Sequence, residues 1–188
     1  MALTLADIED LFVTKGDRMY AGEPVTQLQH ALQSAHLAER DGASDELVVA
    51  SFLHDLGHLI NDQGETPTLR GVDDRHEYVA LPFLRDLFGP AVLQPIRLHV
   101  EAKRYLCARG DGALTGAEYW AALSIDSKRS LELQGGIFSE GQAATFEAEP
   151  YSDEGVRLRL WDDRAKLQDA QTPPLSHYLA LAARIAAR

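Results

Sequence analysis

The sequence predicts an all-α fold, and three observations carry that expectation. Apolar residues recur at helical spacing through most of the chain, strand-like alternation is scarce, and two of the apolar runs open on residues that cap helices. The segment "TLADIEDLF" begins the chain as a short amphipathic helix. "TQLQHALQSAHLAER" follows with Leu28, Ala31, Leu32 and Ala35 on one face, and Thr26 with Gln29 three residues later forms a capping-box signature. "SDELVVASFLHDLGHLI" opens on Ser44, with Asp45 and Glu46 in the first turn where the helix dipole favours acids. "DDRHEYVALPFLRDLFG" and "PAVLQPIRLHVEAKRYLCA" continue the pattern, and their internal prolines, Pro82 and Pro95, predict kinks or breaks. Residues 61–73 and 168–175 are loops by composition. A last helix is expected over about 175–187.

The 188 residues suffice for one domain with a full core, and neither a repeat nor a low-complexity segment divides them, so 1–188 is expected to be a single domain. Net charge is −11 and the basic residues form no long run, which makes nucleic acid and anionic membranes poor partners. Cys107 is the only cysteine, the first residues lack the apolar core of a signal peptide, and no stretch approaches the roughly 20 apolar residues of a membrane span. These features point to the cytoplasm.

Chemistry concentrates in the histidines. Of seven, four fall on successive expected helices: His30, His54, His76 and His99. His54 and Asp55 are adjacent, so on a helix their side chains diverge by about 100° and can still grip a metal lying over that helix. His58 lies one turn after His54. A later carboxylate is wanted, and Asp162 in "RLWDDRAKL" is the best candidate. Scattered core histidines are the plain alternative, but one histidine on each of four helices plus a His-Asp pair is hard to place that way.

This arrangement resembles the HD-domain superfamily of metal-dependent helical proteins, whose minimal pattern maps onto His30, His54–Asp55 and Asp162. Within it, "YAGEPVTQLQHALQSAHLAER", "LVVASFLHDLGHLI", "HVEAKRYL", "LSIDSKRSLELQGG" and "LWDD" are similar to the PhnZ- and TmpB-type organophosphonate oxygenases. The likeness runs in order over about 20–166, the expected metal-site core. It implies a helical bundle holding a mixed-valent Fe(II)/Fe(III) pair, with one iron on His30, His54, Asp55 and Asp162 and the other on Asp55, His76 and His99. Imidazole and carboxylate together suit iron. The implied reaction is O2-dependent cleavage of the carbon–phosphorus bond of a 1-hydroxy-2-(amino or trimethylammonio)ethylphosphonate, giving phosphate and glycine or glycine betaine.

The resemblance also implies contacts to the phosphonate from His58, Lys103, Ser127 and Gln134; Lys103 is one helical turn beyond His99. Tyr20 in "MYAGEP" would be a gating, transient iron ligand, Glu23 would face the substrate's cationic nitrogen, and Gly22 would permit the backbone change. Small Ala21 would leave room for a trimethylammonium group. Arg159 is expected to brace Asp162, Trp161 to sit in the core, and Arg104 to serve structure by pairing with an acid. Two other classes compete: a divalent-metal HD phosphohydrolase acting on a nucleotide or small phosphate ester, and a sensor with a degenerate site. The full ligand set argues against the sensor.

Overall fold

The computed structural model describes residues 2–20, 22–61 and 67–186. The expectation for Ala21, part of the 61–73 loop and the last residue of the expected C-terminal helix lie outside them. Among the described residues the chain is all-α. In order it forms α1 (Leu5–Lys15), α2 (Gln27–Arg40), α3 (Asp45–Leu53), α4 (Leu56–Ile60), a 3₁₀ turn (Pro67–Arg70), α5 (His76–Val79), α6 (Leu81–Leu84) and α7 (Pro90–Arg109). Then come α8 (Gly116–Ala122), α9 (Ile125–Leu133), α10 (Glu140–Glu147), α11 (Ser152–Arg164) and α12 (Leu175–Ala186). Among the described residues no helix is long and apolar enough to cross a membrane.

Helix starts follow side-chain chemistry. Thr4, Thr26, Thr115 and Ser139 each close a capping box with the residue three positions on, and Ser44 accepts from the Leu47 amide. The bundle is built around α3, in which Leu47 to Leu53 are all buried. A helix apolar all round belongs inside, and α2, α7, α11 and α12 pack on it. Its neighbours supply Ala31, Ala35, Ile96, Leu158, Trp161, Tyr178 and Leu181 to one cluster. The most extensive helix pair is α7 with α11. At Gly155 a Cβ would come within 2.9 Å of Leu98 Cβ, so this glycine lets the two backbones approach.

Two expected helical runs are interrupted, the first without any proline and the second beside Pro82, where a kink or break is expected. The run over 44–60 breaks at its His-Asp pair: His54 closes α3, and Asp55 adopts φ −101° and ψ 11°, the bridge region of backbone space, before α4 begins. His58 is therefore not stacked one turn above His54. The run over 73–89 breaks at Ala80, with Pro82 in the first turn of α6 where a missing N–H costs little. By contrast α7 runs unbroken through Pro95.

Gly57 shows why this break is tight. A Cβ there would lie 2.1 Å from the His76 carbonyl oxygen and 2.8 Å from the His76 Cα, both backbone atoms. Gly57→Ala must push α4 and α5 apart, and we expect it to cost about 3 kcal/mol, read as a lower urea midpoint. A cost below about 0.5 kcal/mol, the range of a surface change, would show that α5 yields freely.

Candidate metal centre and active site

His30, His54, Asp55, His76, His99 and Asp162 converge at the centre of the bundle, all buried. They come from α2, the α3–α4 break, α5, α7 and α11. Each histidine is oriented through Nδ1. His30 Nδ1 donates to the Ala165 carbonyl (2.8 Å), His54 Nδ1 to the Ser51 carbonyl (2.9 Å) and His99 Nδ1 to the Ile96 carbonyl (2.7 Å). His76 Nδ1 donates to Asp74 Oδ1 (2.9 Å). A carbonyl or a carboxylate oxygen only accepts here, so Nδ1 carries a proton in all four rings, and in the neutral rings every Nε2 lone pair faces inward.

Those lone pairs meet two by two. His30 Nε2 is 3.2 Å from His54 Nε2, and His76 Nε2 is 3.1 Å from His99 Nε2. Asp55 lies between the pairs and divides its oxygens. Oδ2 is 3.5 Å from His30 Nε2 and 3.3 Å from His54 Nε2, whereas Oδ1 is 3.3 Å from His76 Nε2 and 3.7 Å from His99 Nε2. Asp162 Oδ1 joins the first pair, 3.3 Å from His30 Nε2. Asp55 Oδ2 and Asp162 Oδ1 are buried without a hydrogen-bond donor. Facing lone pairs and orphaned carboxylate oxygens are costly unless a cation lies between them. Separations near 3 Å are also what two ligands of one metal keep at about 2.1 Å from it. The donor set fits two metal ions sharing Asp55.

The electrostatics agree. Burial raises the Asp55 carboxyl, but His54, His58 and His76 hold it well below the usual carboxylate range. Burial likewise opposes ionisation of Asp162, and Arg159 overcomes it. Arg159 Nη1 lies 2.7 Å from Asp162 Oδ2, and the same guanidinium grips Asp163, which Tyr119 also bonds. Arg159 thus braces Asp162, and Trp161 is in the core with its indole N–H on Asp41. Arg104 departs from expectation: it donates to the carbonyls of Gly135 and Gly136 rather than to an acid, fixing the turn after α9.

A pocket opens over the second histidine pair, lined by Tyr20, Glu23, His58, His76, His99, Lys103, Ser127, Ser130, Gln134, Arg159, Asp162 and Lys166. Lys103 is only 2% exposed and donates to Ser130 Oγ at 2.7 Å. Burial, then the nearby Arg159, pulls its ammonium down to about 7. Gln134 Oε1 is buried with no partner. Ser127 and Gln134 sit at the two ends of α9, a helix the sequence reading did not anticipate. His58 stacks on His76 with ring centroids 4.1 Å apart, and its Nδ1 is 2.7 Å from Asp74 Oδ2.

Tyr20 and Glu23 ride a loop pinned at its base: the Tyr20 amide donates to the Val25 carbonyl and the Gln27 amide to the Arg18 carbonyl, both 2.9 Å. The Tyr20 ring stacks on His30, centroids 3.9 Å apart. Burial, with the charges of Asp162 and Asp55, pushes its hydroxyl well above the usual tyrosine value. Glu23 Oε1 lies 3.3 Å from Lys166 Nζ. Sequence reasoning missed Asp74, Ser130 and Lys166. Only Asp74 left a signal, standing two residues before His76.

Residues 28–187 match the HD domain family. The chain is 40% identical to the hydroxymethylphosphonate dioxygenase of Gimesia maris, over 94% of this chain and 92% of that protein. It is 36% identical to the [1-hydroxy-2-(trimethylamino)ethyl]phosphonate dioxygenase (glycine-betaine-forming) of Leisingera caerulea, over 95% of this chain and 88% of that protein. It is also 34% identical to an uncharacterized protein of Acanthamoeba polyphaga mimivirus, over 91% and 76% of the two chains.

Proposed function

The chain belongs to the HD domain family, and from that premise we propose that it is a di-iron dioxygenase cleaving the carbon–phosphorus bond of a 1-hydroxyphosphonate, on a single domain over 1–188. The observation that carries this reading is the division of Asp55, one oxygen toward each histidine pair, beside a pocket lined by Lys103, Ser127 and Gln134. The dioxygenase names of two relatives aligned over nearly their whole length support the same chemistry.

His30, His54, Asp55 and Asp162 would hold one iron, and Asp55, His76 and His99 the other. When bound, a mixed-valent pair supplies Lewis acidity toward the substrate's oxygens and the electrons O2 requires. Oxidation is needed because simple hydrolysis would expel a poor carbanion. Oxidising C1 makes scission feasible and leaves phosphate and a carboxylate.

The protein's own groups position and shield. Lys103, Ser127 and Gln134 offer a cation and neutral donors to the phosphonate, and Ser130 holds the Lys103 ammonium in place. His58, fixed by Asp74, lines the same pocket. Tyr20 is the residue we assign as transient iron ligand, since its ring covers His30 and its hydroxyl is close enough to Asp55 and Asp162 to feel both charges.

The deciding experiment measures iron per chain, O2 uptake and phosphate release with a panel of 1-hydroxyphosphonates, in air and under strict anaerobiosis. Phosphate release that needs no O2 would retire the oxygenase and favour a metal-dependent phosphohydrolase. Within the oxygenase, Lys103→Ala should keep its iron yet raise KM by about 10–100-fold, the worth of one charge-assisted hydrogen bond. Unchanged KM and kcat would remove Lys103 from the site.

A further inference from the structure

The pocket's one carboxylate on the Tyr20 loop already has a cation. Lys166 Nζ lies 3.3 Å from Glu23 Oε1, and both side chains are only 14% exposed. The same ammonium is 3.5 Å from Ser127 Oγ and 5.8 Å from the centre of the Tyr20 ring. Lys166 is not on a loose tether. Its neighbours are tied to α2: the Ala165 carbonyl accepts from His30 Nδ1, and Leu167 exchanges two hydrogen bonds with the Gln33 side chain (2.9 and 3.0 Å). The backbone therefore delivers this lysine to the pocket wall regardless of what is bound.

The pair has a consequence for the substrate's second substituent. An ammonium reaching Glu23 must displace Lys166 from it. That would leave a half-buried lysine unpaired beside Arg159 and Lys103, two cations of the same pocket. A trimethylammonium, without N–H donors, has less with which to compensate. A substrate bearing hydrogen or a small uncharged group leaves the pair intact.

We propose that the Lys166–Glu23 ion pair is a specificity filter, which occupies the carboxylate otherwise open to a cationic substituent and restricts the enzyme to 1-hydroxyphosphonates lacking one. The proposal rests on the phosphonate dioxygenase reading and narrows it. It replaces the nitrogen-facing role expected of Glu23 with a role toward the chain's own lysine.

The test is calorimetric titration of the iron-loaded enzyme under anaerobiosis, with hydroxymethylphosphonate and with 1-hydroxy-2-(trimethylammonio)ethylphosphonate. O2-dependent phosphate release is then followed on the same samples. The wild type should favour the uncharged ligand by about 100-fold in Kd, the scale set by leaving a buried charge unpaired. Lys166→Gln should free Glu23 and shrink or reverse that preference, and Lys166→Met should do the same if the glutamine variant folds poorly. Adding Glu23→Gln to Lys166→Gln should abolish the gain toward the cation. Equal wild-type affinities would overturn the filter, as would a Lys166→Gln variant that weakens both ligands alike, the mark of a plain phosphonate anchor. If neither ligand binds and no phosphonate yields phosphate, the function assigned above falls, and the filter with it.

Discussion

Asp55→Ala should leave the protein with almost no iron and no detectable O2-dependent phosphate release. The two oxygens of Asp55 stand against different histidine pairs, so in the proposed di-iron site one truncation would remove a ligand from both metals. His54→Ala and His99→Ala each remove a ligand from one pair only, and should empty their own half first. Losing a mere outer partner of a ligand costs about 10–100-fold in metal affinity, and Asp55→Ala should exceed that at both positions. Metal analysis after gel filtration reads the result directly. Full iron content in purified Asp55→Ala would end the shared-carboxylate model. Asp55→Asn, close in size but uncharged, separates charge from shape. It should bind iron weakly, because the four inward imidazoles would then keep Asp162 alone as a carboxylate facing their Nε2 atoms.

Arg159→Met should be the most destabilising change on α11, costing about 3–5 kcal/mol, the range for removing one partner of a buried ion pair. The guanidinium is 5% exposed and serves Asp162 and Asp163 together, the second of which also receives the Tyr119 hydroxyl. Methionine keeps the apolar stem and leaves two acids without the cation they share. The measurement is the urea midpoint of chelator-treated protein, so that metal binding does not add to the difference. Asp163→Asn should cost much less, since it leaves Arg159 on Asp162. A loss below about 1 kcal/mol for Arg159→Met would mean that water reaches the pair and solvates the acids.

The sequence announced the candidate ligands better than the walls around them. His30, His54, Asp55, His76 and His99 were legible because polar residues interrupt apolar helical runs, and the structure places them, with Asp162, in overlapping groups of three possible ligands. Their oxygen and nitrogen geometry was not legible, because it depends on the break at Asp55, where α3 ends under tertiary rather than local control. The helices α8 to α11 escaped notice although Thr115–Glu118 and Ser139–Gln142 are readable capping boxes. The faces of α8 to α10 are largely exposed, so no broad apolar stripe marks them, and in α11 charged residues break up the buried face; α9 earns its place by lining the pocket rather than filling the core. Lys166 could not be picked from 18 basic residues. Its importance arises from two contacts across more than a hundred residues, Ala165 with His30 and Leu167 with Gln33.

The anchoring of every imidazole through Nδ1 also bears on how the protein meets the mixture of metals in a cell. Three of the four anchors are main-chain carbonyls of the fold itself, so the ligand cage stands assembled on the bundle instead of being drawn together by the ion. A cage set in advance, with imidazole and carboxylate donors, accepts most divalent first-row metals, and zinc or copper binds such donors at least as tightly as ferrous iron. On the di-iron reading, fidelity to iron then cannot come from affinity. It has to come from supply, through which ion reaches the folded chain first and how slowly a wrong one leaves. Preparations from metal-replete media should accordingly contain well-folded, fully loaded and inert molecules, which chelation followed by anaerobic addition of ferrous iron restores to activity.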